Sequence, residues 1–138
     1  MSWLTRLLGG RKVANTGSKT GDVAIVQADV EGKIRLWSEG AQTLFGHTAA
    51  QAVGQSLELI VPPQFREAHW GGFYGAMKRK SLQGNEPFVL PILCRDGQVK
   101  HFAGRLTLLN DAYGEPVGAL GVFIPESKSY TGPELYRL

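Results

Sequence analysis

The sequence predicts an α+β domain in which one five-stranded antiparallel sheet carries its helices on one face. Two β-prone segments come first, a helical middle follows, and three β-prone segments separated by short turn signals come last. This order, β-β-α-α-α-β-β-β, is typical of one antiparallel sheet with segregated helices. With 138 residues and 43% hydrophobic side chains, the chain is long enough and apolar enough for one such core.

The first two strands are predicted to form a hairpin. Residues 23–30 are apolar and rich in β-prone side chains, and residues 34–37 alternate as a second strand. Glu31 and Gly32 stand between them, and a glycine at this place favours a tight turn.

Two short helices are predicted next. Ser38 is a favourable N-cap for a helix over residues 39–45, and Thr48 is one for a helix over residues 49–53. A glycine follows each of these segments, which favours a helix end there.

A third, longer helix is predicted from about Pro63 to about Lys80. A proline is favoured in the first turn of a helix because its missing N–H would have no partner there. Within this helix three residues lower the helix propensity, namely Gly71, Gly72 and Gly75.

The last three strands are predicted at residues 87–94, 99–109 and 117–124. Residues 95–97 and 110–114 separate them and have the composition of hairpin turns. Three strands joined in this way form a meander.

Charge and cysteine content exclude several classes of protein. The net charge is +3, but four basic residues and no acidic ones lie in residues 1–20, so the remaining 118 residues carry 11 basic and 12 acidic groups. Such a body has no basic stripe for nucleic acid. The single cysteine, Cys94, excludes an internal disulfide framework. No apolar run reaches the roughly 18 residues of a membrane span, so we expect a cytoplasmic protein without an integral membrane segment.

The two ends of the chain are predicted to lie outside the domain. Residues 1–8 place apolar side chains on one helical face, and a flexible linker follows up to residue 22. The N-terminal segment is interpreted as a frayed terminus, as an amphipathic cap on the domain or on a second subunit, or as a weak basic membrane-surface anchor. The domain is expected at 23–126, with a C-terminal tail at 127–138.

Four segments resemble the PAS domain family. DVEGKIRLWS at 29–38 and GAQTLFG at 40–46 are similar to the family's opening hairpin and first helix. QAVGQSL at 51–57 and RDG at 95–97 are similar to its next helix and a later hairpin turn. The resemblance covers about residues 23–126. It implies a five-stranded antiparallel sheet whose helical flank encloses a small pocket, and a role in signal sensing or protein interaction.

The segment IVPPQFREAHWGGF at 60–73 resembles the heme-binding PAS domains of oxygen-sensor histidine kinases. His69 falls on the helix histidine that binds heme iron in those proteins, so the resemblance implies heme b with His69 as its iron ligand. A neutral imidazole is a normal axial ligand of heme iron. The resemblance also implies an arginine on the strand at 88–93, but this chain has no charge there, which favours sensing of carbon monoxide, nitric oxide or redox state over oxygen.

Eight residues form the predicted cofactor pocket. Four recur every fourth residue and therefore share one helix face: Phe65, His69, Phe73 and Met77. The opposite wall is expected from the strands: Leu90, Ile92, Gly104 and Leu106. The alternatives are a structural His69 in an ordinary core helix and a pocket for a different ligand.

The expected function is a stand-alone PAS sensor module that binds heme and detects a diatomic gas or redox state. It would signal through association, as a homodimer or with a separate protein partner. The alternatives are a cofactor-free dimerisation or interaction module and a receptor for a small apolar metabolite. An enzyme is not expected, because no catalytic arrangement of Ser, His and Asp, no paired carboxylates and no phosphate-binding loop stand out.

Overall fold

The computed structural model describes residues 23–82 and 88–125. The predictions for residues 1–22, for residue 87 and for residues 126–138 lie outside the described residues.

Five strands form one antiparallel sheet, which confirms the predicted architecture. In chain order they are β1 Ala24–Ala28, β2 Ile34–Trp37, β3 Phe88–Leu93, β4 Val99–Asn110 and β5 Pro116–Pro125. Their order in the sheet is β2-β1-β5-β4-β3. The last strand in the sequence is therefore the central one, because it pairs with β1 on one side and β4 on the other.

Aspartate side chains stabilise two of the hairpin turns. Between β1 and β2, Asp29 Oδ1 accepts hydrogen bonds from the backbone N–H groups of Glu31 and Lys33, both at 3.0 Å. Between β4 and β5, Asp111 Oδ1 accepts two backbone hydrogen bonds in the same way. Such local hydrogen bonds between a side chain and the backbone favour a turn over a continuation of the strand. This explains why the hairpins form at these positions.

In the sequence, the helices lie between β2 and β3. They are α1 Glu39–Phe45, α2 Ala49–Ala52 and α3 Arg66–Arg79, with 3-10 turns at Leu57–Leu59 and Pro63–Phe65. The predicted N-caps are present: Ser38 Oγ accepts from the Ala41 N–H at 3.1 Å, and Thr48 forms a reciprocal capping box. None of the described helices is both long and apolar enough to cross a bilayer.

The start of the third helix differs from the prediction. Residues 63–65 form a 3-10 turn, and the α-helix begins at Arg66. Phe65 has φ −107° and ψ 1°, so it lies outside the α-helical conformation. Phe65 is therefore out of phase with the residues that follow it.

Aromatic rings pack the core on the inner face of the sheet. The Phe45 ring, on α1, meets Trp37, Phe102 and Phe123 edge-on, with ring centroids 4.9–5.9 Å apart. Along β1 the inward residues are buried and their neighbours half-buried, as expected of a sheet with one covered face. This core supports one wall of the candidate site.

Candidate functional site

A cavity of about 80 Å³ lies between α3 and the inner face of the sheet. Its lining is apolar except for His69, and the apolar residues are Val26, Ala28, Leu57, Ile60, Val61, Phe73, Leu90, Ile92, Leu106, Ala119, Gly121 and Phe123. Strands β1, β3, β4 and β5, the segment before α3 and α3 itself all contribute. The site is thus formed by residues that are far apart in the sequence.

The central strand shapes the floor of this cavity. Ala119, Gly121 and Phe123 alternate along β5 and all point inward. The Phe123 ring lies over Gly121 and over Gly104 of the neighbouring strand, so that a Cβ at Gly121 would be 2.7 Å from the ring and a Cβ at Gly104 would overlap it. Because the two glycines have no side chains, they leave room for the Phe123 ring, and this ring limits the free volume of the cavity.

His69 and Phe73 form the helix wall. They lie one turn apart on α3, and their rings are stacked with centroids 6.0 Å apart and an interplanar angle of 27°. The Nδ1 atom of His69 is buried. Burial lowers the pKa of His69 to about 4, and the Glu58 carboxylate nearby raises it by less. The imidazole is therefore neutral at pH 7.

Five of the eight predicted pocket residues line this one cavity. They are His69 and Phe73 on the helix and Leu90, Ile92 and Leu106 on the strands. Leu106 lies on the inner face of its strand, the face that alternation along residues 102–108 assigns to the pocket.

Phe65, Met77 and Gly104 are not part of the lining. Phe65 belongs to the 3-10 turn before α3, which breaks the four-residue periodicity on which its placement depended. Met77 lies two turns, about 12 Å, beyond His69 along the helix, whereas the cavity faces the first half of α3. Gly104 points inward, but the Phe123 ring covers it.

Gly71 and Gly72 do not contribute to the cavity either. The absence of their side chains could leave room for a planar cofactor only if they faced the cavity. Both are exposed, and a Cβ at either would meet no atom within 4 Å. They face away from the cavity and make no room in it.

Two parts of the lining were not predicted. One is the segment with Leu57, Ile60 and Val61, which precedes the third helix. The other is the inward face of β5. Alternation in VGALGVFI indicates which residues share a face, but the central position of β5 depends on long-range pairing that the sequence does not display.

A second, open depression lies between the end of α1 and the β3–β4 turn. Its rim carries Arg95, Asp96 and Lys100, and Lys100 Nζ is 3.7 Å from Asp96 Oδ2. Cys94 at its base is buried, and burial raises the pKa of its thiol. A protonated, buried thiol is a poor nucleophile and a poor metal ligand, so Cys94 acts here as a small apolar side chain.

A porphyrin does not fit the cavity in this conformation. His69 offers a neutral, buried imidazole on a helix, which suits heme iron. The space beside it is about 80 Å³, whereas pockets for drug-sized ligands are about 300–1,000 Å³. Over residues 23–82 and 88–125, no group of three or more His, Cys, Asp or Glu side chains is placed to hold a metal ion.

Solved PAS domains from other organisms are similar to this chain in fold. A PAS domain from Colwellia psychrerythraea is 26% identical, with a TM-score of 0.67 over 85% of this chain and 99% of that one. The PAS domain of the Cronobacter turicensis quorum-sensing receptor RpfR, solved with BDSF and with C12:0, is 16% identical, with a TM-score of 0.63 over 80% of this chain and 98% of that one. The PAS-B domain of Drosophila melanogaster Cycle with bound glycerol is 14% identical, with a TM-score of 0.56 over 72% of this chain and 94% of that one.

The family comparison agrees with this likeness of fold. No curated protein matches the chain. The profile of the PAS fold matches residues 19–125, which is most of the sequence. The chain belongs to the PAS family of sensor domains.

Proposed function

We propose that this PAS sensor domain binds a small, mainly apolar molecule with a single hydrogen-bonding group. The observation that carries the proposal is the cavity beside α3, where one titratable side chain, His69, stands in an otherwise apolar lining. A few polar groups in an apolar cavity are typical of small-molecule sites, because the apolar area supplies affinity and the polar group sets orientation.

The chemistry of His69 favours a neutral ligand. A neutral imidazole has one N–H donor and one nitrogen acceptor, so it pairs with a hydroxyl or a carbonyl group. A carboxylate or an ammonium group would have to leave water for an apolar lining, which is costly without an opposite charge. An alcohol is therefore expected to bind more tightly than the carboxylate of the same chain length.

The size of the cavity favours a short ligand. A dry cavity of about 150 Å³ in another protein binds benzene or xenon. The cavity here is about 80 Å³, so only a few non-hydrogen atoms fit while α3 keeps its place. Structural neighbours support the class of function, since the Cronobacter domain was solved with BDSF and C12:0 and the Drosophila domain with glycerol.

Heme b is the second candidate ligand, because of the sequence resemblance at 60–73. Heme iron would take the imidazole of His69 as its protein ligand, and it would supply the binding of a diatomic gas or a change of redox state. The narrow cavity counts against it in the conformation described. A hemin titration decides between the two: a sharp Soret band that His69→Ala removes supports heme, and a protein that stays colourless contradicts it.

The binding proposal is tested with a series of straight-chain alcohols from 1-butanol to 1-decanol and with the matching carboxylates. Protein-detected NMR gives each dissociation constant. The wild-type protein should bind at least one short alcohol and should prefer it to its carboxylate. His69→Leu should weaken alcohol binding about two- to tenfold, since a buried hydrogen bond contributes about 0.5–1.5 kcal/mol.

A cavity-filling variant is the matched control. Ala119→Leu places a larger apolar side chain in the lining and should abolish binding without adding charge. Val99→Leu, at an exposed position on β4, makes a similar change outside the cavity and should bind as the wild type does. Equal binding by the wild type and Ala119→Leu would contradict the proposal, as would a wild type that binds no member of the series.

Association remains the proposed route of signal output. The outer face of the sheet supports it, because Leu36 and Ile124 are 41% and 48% exposed there although both are large and apolar. Light scattering should show a homodimer that weakens when residues 1–10 are deleted and when Ile124 is changed to Glu. A monomer in every form contradicts dimerisation and leaves a separate protein partner as the output.

A further inference from the structure

The sequence of α3 has a low helix propensity, so tertiary contacts must keep the helix in place over the cavity. Three of its residues, Gly71, Gly72 and Gly75, each lower helix stability by about 1 kcal/mol relative to alanine. Ala76 is the only residue of α3 that is fully buried. A helix with such a composition forms mainly because neighbouring elements stabilise it.

Trp70 and Arg66 both donate hydrogen bonds from α3 to the segment that precedes it, and the Trp70 bond is the shortest of these at 2.7 Å. The Nε1–H of Trp70 donates this bond to Glu58 Oε2, and Glu58 belongs to the 3-10 turn that precedes the helix. Hydrogen bonds to a charged acceptor are about twice as strong as neutral ones. The bond therefore joins α3 to the segment that carries Leu57 and Ile60 of the cavity lining.

The Trp70 ring also packs on the β1–β2 turn. It lies so close to the Gly32 backbone that a Cβ on Gly32 would overlap Cη2 and Cζ3 of the ring. Tyr74, one turn further, stacks on Trp70 with centroids 5.4 Å apart, and its hydroxyl reaches the Glu31 carbonyl oxygen at 3.5 Å. We call Trp70, Tyr74, Glu58 and Gly32 the Trp70 clamp.

The clamp adjoins the cavity wall directly. The His69 and Trp70 rings meet edge-on with centroids 4.6 Å apart, and the Phe73 ring meets Trp70 at 5.5 Å. His69 and Phe73 are the residues of α3 that line the cavity. Displacing Trp70 therefore displaces the helix wall of the site.

We propose that the Trp70 clamp controls access to the cavity: it holds α3 in place against the sheet, and opening of the clamp speeds the binding and release of a ligand. This inference rests on the proposed ligand site. It also couples the ligand to the β1–β2 turn, because opening the clamp frees Gly32 from the indole ring.

The first test measures amide hydrogen exchange across Arg66–Arg79 and needs no ligand. Trp70→Phe keeps a ring but removes the N–H donor, and Glu58→Ala removes the acceptor. Each should raise the exchange rate of α3 amides about tenfold and leave the amides of β1 and β5 unchanged. The double variant should add little to either single variant, because both remove the same bond.

Trp37→Phe is the matched control. Its Nε1–H also donates a hydrogen bond, at 2.8 Å to the His47 carbonyl oxygen, but on the α1 side of the domain. It should lower the free energy of unfolding without a selective effect on α3. The inference would be overturned if the α3 amides of both clamp variants exchanged at the same rates as those of the wild type. It would also be overturned if Trp37→Phe raised the exchange rate of the α3 amides just as selectively.

The second test measures how fast 1-butanol exchanges between the free and bound states, by NMR relaxation dispersion. Clamp variants should bind and release the alcohol several-fold faster than the wild type. If the wild type binds and the rates are equal in all variants, the clamp does not control access and the inference fails. If neither the wild type nor any variant binds an alcohol of the series, the proposed function fails, whereas the exchange experiment still reports on the clamp.

Discussion

His69 is the residue on which the site depends, and its electrostatics are simple. Burial among apolar side chains makes its charged form unfavourable, and the nearby Glu58 carboxylate does not compensate. The residue is thus a neutral hydrogen-bonding group inside an apolar cavity. The same burial makes the stability of the domain depend on pH.

We predict that the domain loses stability between pH 6.5 and pH 4 because of His69. Its pKa is about 4 when folded and about 6.5 when unfolded, so the unfolded state binds the proton first as the pH falls. The stabilising contribution of neutral His69 is fully present above pH 6.5 and is lost progressively towards pH 4. The unfolding free energy lost in this way is about 2–3 kcal/mol.

Urea denaturation at pH 7.5 and pH 4.5 measures this effect. The loss of unfolding free energy on acidification should be about 2–3 kcal/mol smaller in His69→Leu than in the wild type. Carboxylates that titrate in this range are the same in both proteins, so they cancel in the difference. An equal loss in both proteins would show that His69 is not buried as described.

Gly32 is a second residue with a definite role. It has φ +79°, which disfavours any side chain, and it also lies against the Trp70 ring. Gly114, with φ +82° and no atom near its missing Cβ, is under the same backbone constraint without the ring. Comparing the same substitution at the two glycines therefore separates the cost of a left-handed backbone from the cost of contact with the Trp70 ring.

We predict that Gly32→Ala is more destabilising than Gly114→Ala. Each alanine should cost about 1–2 kcal/mol for its left-handed backbone, and Gly32→Ala should cost at least about 1 kcal/mol more because the indole must move. Urea denaturation measures both. The excess should disappear in a Trp70→Ala background; if it persists there, the ring is not its cause.

At the scale of elements, α3 combines a functional face with a weak helix. Its cavity face carries His69 and Phe73, and its solvent face carries Gly71 and Gly72. Since a Cβ at either glycine would meet no atom within 4 Å, glycine lowers helix stability at these positions without making room for a neighbour. This arrangement suits a helix that must move for a ligand to bind.

We predict that Gly71→Ala stabilises the domain by about 0.5–1 kcal/mol, because alanine loses less backbone entropy in an exposed helix interior. Gly72→Ala should act alike. Thermal or urea denaturation measures the gain, and slower hydrogen exchange in α3 should accompany it. A loss of stability in both variants would mean that the two glycines do not lie on the solvent face.

Local sequence signals predicted the elements well and their long-range placement less well. Ser38 and Thr48 cap helices because a side-chain oxygen meets nearby N–H groups, a local interaction that the sequence displays. Phe123 could not be placed over Gly104 in this way, because that contact depends on β5 pairing with β4 in one register. The Trp70–Glu58 bond was missed for the same reason, since it joins two elements 12 positions apart.

At the scale of the whole molecule, the two faces of the sheet have different roles. The inner face, with α3, forms the cavity in which we propose ligand recognition. The outer face carries exposed apolar side chains such as Ile124, which support the proposed association. Side chains of β5 belong to both faces, so the central strand connects the proposed ligand site with the proposed association surface.

The most direct test of the central claim is a methyl NMR titration with 1-butanol, using protein labelled at Ile, Leu and Val. If the ligand binds beside His69, saturable shifts should appear at the inward methyl groups of Ile60, Leu90 and Leu106. The outward methyl groups of Leu120 and Ile124 on β5 should shift much less. Shifts that do not saturate, or that are as large on the outer face as on the inner one, would contradict ligand binding in this cavity.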